Sequence, residues 1–95
     1  MALKNSRVFP LDEASLGQVC LVSVIHGSPE APEWGQWLED IGFIPGEQVT
    51  VLARGRPGGD PLVVRVGLST FALRRAEAAC IDVGIGPLPA SQGIA

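Results

Sequence analysis

The chain has 95 residues, 46% of them apolar, and a formal net charge of −3. This length fits a single domain whose modest core needs neither a metal nor a disulfide. The acidic balance argues against a nucleic-acid partner, because phosphate contacts need a basic face. The sequence also lacks an apolar run of the roughly 20 residues that span a membrane and the apolar core of a signal peptide. We therefore expect a cytoplasmic protein without membrane insertion.

Residue composition divides the chain into three parts. We expect residues 1–9 to be loosely ordered, residues 10–84 to form the domain and residues 85–95 to be a flexible tail, because Gly, Pro, Ser and Ala replace strand residues in the tail. At the start of the domain, residues 11–17 fit a single helical turn that a glycine ends.

The first apolar run and the helix after it are the clearest elements of the sequence. Residues 18–26 are rich in Val, Leu and Ile and predict a strand that is covered on both faces. Within residues 31–41, four large apolar residues beginning at Trp34 recur at helical spacing and predict an amphipathic helix. A glycine then ends this helix and a Pro-Gly pair turns the chain. The positions that we expect to determine the fold here are Trp34, Leu38, Ile41, Gly42, Pro45 and Gly46.

The second half of the domain is predicted to be mostly strands. Residues 48–54 and 62–66 flank a loop dense in Gly and Pro, which is typical of a hairpin. Residues 70–74 form the next predicted strand, followed by a helical turn at 75–79 and a short strand at 81–83. The sequence therefore predicts a mainly β fold, a small five-stranded barrel with the α-helix between strands 1 and 2 and the helical turn before the last strand.

Charge is distributed unevenly along the chain. There is no Lys or Arg between Val8 and Ala53, whereas five of the seven basic residues lie between Arg54 and Arg75. The domain should therefore have an acidic helix side and a basic hairpin side. Two interpretations remain open: these are ordinary solvated faces, or they steer a charged partner.

The order of these motifs resembles a known family. The stretch Trp37-Leu38-Glu39-Asp40-Ile41-Gly42-Phe43-Ile44-Pro45-Gly46, after an apolar strand, looks like the hallmark of FeoA-type ferrous iron transport proteins. Residues 59–62, 71–74 and 77–83 are similar to the rest of that pattern, so the resemblance covers about residues 10–84. It implies an SH3-like β-barrel with a helical insertion and a cytoplasmic accessory of the FeoB-type transporter, a membrane protein with a cytosolic GTPase domain. The SH3-like domain of iron-dependent repressors shares this fold, so the fold alone does not settle the function.

The cysteines and the single histidine are the candidates for catalysis. His26 lies six positions from Cys20, about 20 Å along an extended strand, and no orienting carboxylate is placed beside either Cys80 or His26 in the sequence. Cys80 could still approach His26 through folding. We predict no enzymatic activity, no cofactor and two reduced thiols. A disulfide is geometrically conceivable, because the strands of the two cysteines are neighbours in SH3-like barrels, but a cytosolic location disfavours it.

A metal site is the second chemical possibility. A closed site needs three or four ligands, and this chain offers one His and two distant Cys. His26 with Glu30 or Glu33 would make a weak two-ligand site for a transition metal ion, completed only by ligands from a second molecule. We therefore expect no metal site within one chain.

Trp37 is where the chain departs from the FeoA pattern, which usually has Arg at this position. An exposed indole can anchor a protein–protein contact, and the alternative is that Trp37 folds over the barrel rim as extra core. We list as candidate exposed apolar contacts Trp37, Phe43, Ile44 and Leu68, and as candidate partners for acids on another protein Arg54, Arg56 and Arg65.

Two function hypotheses follow from the sequence. The first is a cytoplasmic, non-enzymatic accessory protein of bacterial ferrous iron uptake that binds and modulates the cytosolic GTPase-containing part of a FeoB-type transporter. The second is a metal-responsive binder, either an iron chaperone or a repressor-type SH3-like sensor domain. Self-association into a homo-oligomer is compatible with both hypotheses.

Overall fold

A computed structural model describes residues 8–56 and 58–85. Within these ranges the chain forms six strands, two α-helices and one 3-10 turn. In chain order they are β1 (Val8–Pro10), the 3-10 turn (Leu11–Glu13), β2 (Cys20–Ile25), α1 (Glu33–Asp40), β3 (Gln48–Arg54), β4 (Leu62–Val66), β5 (Ser69–Leu73), α2 (Arg75–Ala78) and β6 (Ile81–Gly84).

The six strands form one antiparallel sheet in the order β1-β6-β2-β3-β4-β5. The register shifts between Val22 and Val24 in β2 and between Val51 and Ala53 in β3, and such bulges bend a sheet and increase its twist. A parallel bridge between Leu16 and Val51 brings the segment before β2 against β3. The sheet therefore curves around one core.

Strand alternation supplies most of that core. In β4, Leu62, Val64 and Val66 are buried while the two residues between them face outward, as the period of a strand requires. Leu38 of α1 and Phe43 after it are fully buried, so they cover the remaining side of the core. The Phe43 and Phe71 rings lie 6.2 Å apart between centroids at 46°, a tilted arrangement that aromatic pairs favour.

The prediction of five strands is wrong by one, because β1 was not expected. Phe9 pairs with Val83 and Val8 with Gly84, so the prediction that residues 1–9 are loosely ordered is wrong for Val8 and Phe9. Three residues ending in proline are too few to show a periodic pattern, and the strand exists through its pairing with β6. The predicted helix insertion consequently lies between β2 and β3. The predictions of a loosely ordered start and a flexible tail otherwise fall on residues 1–7 and 86–95, which lie outside the described ranges.

Close backbone packing fixes α1 on the end of β2. A Cβ atom on Gly27 would lie 2.8 Å from the Pro32 carbonyl oxygen, so only glycine fits there. Gly42 has φ of +123° and ends α1, as predicted, and a turn at Pro45 and Gly46 follows.

No helix in the described part of the chain is long and apolar enough to cross a membrane.

Candidate functional site

A groove of about 620 Å³ lies between the β2–α1 loop and α2. Trp34 supplies the largest side chain of its lining, and α2 contributes the small side chain of Ala76. Trp34 also packs against the core, and its role in determining the fold stays a prediction. The residues that line the groove are His26, Gly27, Ser28, Pro29, Glu30, Ala31, Trp34, Ala76, Ala79 and Cys80.

An acid–histidine pair stands at the end of β2 beside the groove. His26 Nε2 lies 2.7 Å from Asp82 Oδ2, with about half of the His26 side chain exposed. The His26 backbone N–H donates to the Cys80 carbonyl at 2.7 Å, which fixes the two strands at this point. The prediction that no carboxylate stands near His26 is therefore wrong. Fifty-six positions separate the pair in sequence, and the register between β2 and β6 brings them together.

The Cys80 thiol borders the groove but is held in its protonated form. Cys80 is only 7% exposed, and its Sγ lies 3.6 Å from the Ala76 carbonyl oxygen. Burial, and in second place the charge of Glu77, raise the pKa of this thiol above its ordinary value of 9.0. A nucleophilic cysteine needs a lowered pKa, so the surroundings of Cys80 oppose thiol catalysis even with His26 and Asp82 nearby.

The two cysteines lie at opposite ends of the strand pair that carries them. Cys20 opens β2 opposite Val49, whereas Cys80 stands at His26, six positions further along, which is about 20 Å in an extended strand. Both thiols are free. The disulfide that the sequence left conceivable is therefore excluded: the strands are neighbours, but the register keeps the two sulfurs apart.

The weak metal candidates do not come together as a site. His26 pairs with Asp82, while Glu30 accepts a hydrogen bond from the Ser28 hydroxyl at 2.9 Å. Glu33 lies exposed in the first turn of α1, where an acid complements the helix dipole. Among the described residues there is no group of three or more His, Cys, Asp or Glu side chains that could hold a metal ion.

The predicted apolar contact residues separate into exposed and buried positions. Leu68 is fully exposed, and Ile44 and Trp37 are 48% and 39% exposed, so the structure decides for the exposed alternative at Trp37. Phe43 is 0% exposed, and the prediction that it offers a surface contact is wrong. Its N–H donates to the Leu38 carbonyl at 3.0 Å, which directs the chain after α1 back over the core. The neighbouring Ile44 then points outward.

The three arginines predicted to contact a partner differ in their surroundings. The Arg54 guanidinium donates from Nη2 to the carbonyl oxygens of Asp12 and Ala14, both at 2.8 Å. This side chain therefore ties β3 to the 3-10 turn through its Nη2 donors, while its Nε and Nη1 donors have no bond of this kind to the described residues, and its role in partner binding stays a prediction. Arg56 and Arg65 are exposed, and their role in partner binding stays a prediction.

Taken together, the curved antiparallel sheet, the inserted helix and the groove beside it define a small SH3-like β domain. The FeoA domain model matches residues 9–84. The chain belongs to the FeoA family, which confirms the resemblance and the predicted fold class, and membership supports a role in ferrous iron transport.

Solved structures agree with this assignment. The crystal structure of FeoA from Stenotrophomonas maltophilia in complex with zinc, described as a prokaryotic SH3 domain protein, has a TM-score of 0.72 and 35% identity over 79% of this chain and 88% of that one. FeoA from Chlorobium tepidum matches with a TM-score of 0.69 and 30% identity over 83% of this chain and 71% of that one.

A regulator shares the fold as well. A manganese-dependent transcriptional repressor has a TM-score of 0.71 at 23% identity, covering 85% of this chain but only 43% of that one. At this identity the match shows the fold alone. Among curated proteins, no sequence matches this chain.

Proposed function

We propose that the chain is a cytoplasmic, non-enzymatic accessory protein of bacterial ferrous iron uptake, which binds the cytosolic GTPase-containing region of a FeoB-type transporter and modulates its activity. Family membership supports the iron transport setting. The observation that carries the binding role is the groove beside Trp34, a concave and mostly apolar surface on a chain with few groups suited to catalysis.

The shape of the groove is set before any partner arrives. The close approach of Gly27 to Pro32 holds the loop at one side, and the contact between the His26 N–H and the Cys80 carbonyl holds the base. A preformed surface loses little conformational freedom on binding, so more of the contact energy appears as affinity. The groove therefore suits an apolar side chain of the transporter, with Trp34 as the aromatic residue of the lining.

The decisive experiment blocks the groove without touching the core. Ala76 lines the groove and is exposed in the first turn of α2, where glutamate is favourable for the helix. Ala76→Glu should fold normally, place a charge in the groove and weaken binding to the purified transporter region by about tenfold or more, since a buried unpaired charge is costly. Ala72→Glu, on exposed β5 and outside the groove lining, is the matched control and should bind as the wild type does.

Isothermal titration calorimetry measures both variants, with circular dichroism as the check on folding. A wild-type chain that does not bind the transporter region would contradict the proposed function. Equal affinities for the wild type and Ala76→Glu would contradict the use of the groove while leaving transporter binding intact.

The metal-responsive alternative makes a different prediction. It requires ferrous ion to bind with micromolar affinity under anaerobic conditions and requires His26→Ala to abolish that binding. The same calorimeter decides between the two hypotheses, because the accessory function predicts that the wild-type chain binds the transporter region in the absence of metal.

A further inference from the structure

A second surface lies at the end of the domain where three connections meet. The last turn of α1 runs into the turn at Ile44, whose carbonyl accepts the Glu47 N–H at 3.0 Å. The β4–β5 turn lies alongside, since the Gly67 N–H donates to the Gln48 carbonyl at 3.2 Å and a Cβ on Gly67 would stand 3.4 Å from Glu47 Oε2. We call this surface the acidic end; its residues are Glu39, Asp40, Ile44, Glu47 and Leu68.

The apolar side chains of the acidic end have no role in the core. Leu68 is fully exposed at the tip of a two-residue turn, where the backbone demands glycine only at Gly67. A polar residue would serve the turn equally well at the second position. Scattered exposed apolar residues are ordinary, but Leu68 and Ile44 stand on the two turns that the hydrogen bond from Gly67 to Gln48 brings together at one end of the domain.

The acids of this surface oppose the local helix. Glu39 and Asp40 occupy the last turn of α1, which contains no basic residue. The carboxyl end of a helix is the negative end of its dipole, so acids there destabilise it. Asp40 accepts one hydrogen bond, from the Gln36 amide at 2.9 Å, and this local contact does not remove the conflict. Residues that break a local rule without compensation are typical of functional surfaces.

We propose that the acidic end docks a basic, amphipathic segment of a protein partner. Lysine or arginine side chains of that segment pair with Glu39, Asp40 and Glu47, while its apolar side chains cover Leu68 and its neighbours. The proposal rests on the proposed function for the identity of the partner protein, and it adds the chemistry of the contacting segment. An anionic membrane surface is repelled by the same carboxylates.

The first test changes charge at matched positions. Glu39→Lys should fold, because it replaces an acid with a base at the carboxyl end of α1. Its affinity for the purified transporter region should fall about tenfold, with a weaker dependence on salt. Glu13→Lys is the control with the same change in net charge. Glu13 is exposed beside the far end of β3, about 20 Å from Gln48 at strand rise, so its affinity should stay within about twofold of wild type.

The second test removes apolar contact without changing charge. Leu68→Ser should keep the wild-type melting temperature, because the side chain is fully exposed, and should weaken binding about fivefold or more. Leu52→Ser is the control, since Leu52 is 44% exposed on β3 outside the acidic end. Affinity that is equal for wild type, Glu39→Lys and Leu68→Ser overturns the inference while the proposed function stands.

A third test does not depend on the transporter. A synthetic amphipathic peptide of leucine and lysine is titrated into the labelled chain, with a leucine–glutamate peptide as control. The lysine peptide should shift the NMR signals of the Leu68 and Ile44 methyl groups, and Glu39→Lys should abolish these shifts. Absence of the shifts overturns the inference. Shifts together with failure of transporter binding support it and overturn the proposed function, so the two failures are distinguishable.

Discussion

The groove and the acidic end are both candidate contact surfaces, but they depend on the fold in opposite ways. The groove is concave, and its walls belong to residues that also seat α1, such as Gly27 and Trp34. The acidic end is built from exposed side chains on turns, and its acids oppose the helix that carries them. The difference teaches that replacing a groove residue that also seats α1, such as Gly27 or Trp34, changes the fold together with binding, whereas the acidic end can be altered while the fold is kept.

The largest expected effect on stability comes from Phe43, the buried residue that precedes Ile44 of the acidic end. Phe43→Ala should lower the free energy of unfolding by about 3–5 kcal/mol, because it empties a fully buried site against Phe71. Its neighbour Ile44 is half exposed, so Ile44→Ala should cost less than about 1 kcal/mol. Urea unfolding of both variants measures the difference. Similar losses for the two would show that Ile44 also belongs to the core, and the contrast between the surfaces would fail.

A smaller loss is expected at the groove. Gly27→Ala should cost about 1–3 kcal/mol, because the new Cβ would meet the Pro32 carbonyl at 2.8 Å and the backbone must shift. Gly35→Ala is the control within the same contact: its Cβ would stand 3.4 Å from the Gly27 nitrogen, and alanine gains about 1 kcal/mol of helix propensity over glycine. Thermal melting should separate the variants clearly. A Gly27→Ala chain as stable as Gly35→Ala would mean that the loop moves freely and that the groove is not preformed.

The Cys80 thiol beside the groove makes the stability of the fold depend on pH. The unfolded thiol has the ordinary pKa of 9.0 and the folded thiol a raised pKa, chiefly because of burial. The unfolded chain therefore loses the proton first, and this stabilisation, complete below pH 9.0, is lost as pH rises through the folded pKa. Cys80→Ala should flatten the fall in stability at alkaline pH. At neutral pH, iodoacetamide should alkylate Cys80 more slowly than free glutathione; rapid alkylation would contradict the protected thiol.

Features that depend on neighbouring residues could be predicted from the sequence, whereas contacts between residues far apart in the sequence could not. Local periodicity located β3 and β4 correctly, because alternation is visible within one strand. It could not place Asp82 beside His26, since that contact depends on the register between two strands. The same limit explains the missed β1, which is too short for a pattern and is held by β6.

At the candidate site, the error at Phe43 has a related cause. Phe43 and Ile44 are adjacent apolar residues, and sequence alone gives no reason to bury one rather than the other. The N–H of Phe43 donates to the Leu38 carbonyl at the end of α1. This hydrogen bond directs the backbone after α1 so that the Phe43 ring turns inward. The internal hydrogen bonds of Arg54 were beyond the sequence for the same reason, because its carbonyl partners lie 40 and 42 positions away. Exposure of single side chains therefore needed the structure, whereas the elements that carry them did not.

The smallest predicted change in stability tests most directly how the acidic end differs from the groove. Glu39→Gln and Asp40→Asn each remove an acid from the negative end of α1, so each should stabilise the domain by about 0.3–1 kcal/mol at low salt. Asp40→Asn is the less favourable of the two, because the carboxylate accepts the Gln36 amide. Both variants should nevertheless bind the transporter region more weakly. Glu33→Gln is the matched control at the other end of α1, where removing the acid should destabilise the helix slightly.

Opposite signs of stability and affinity would separate function from folding at these residues. A residue kept for the fold loses both when it is replaced, whereas a residue kept for a partner can gain stability as it loses affinity. Thermal melting and calorimetric titration of the same preparations supply the two signs. If Glu39→Gln raised stability and left affinity unchanged, the acids would be a solvated face without a partner, and only the groove would remain as a contact surface.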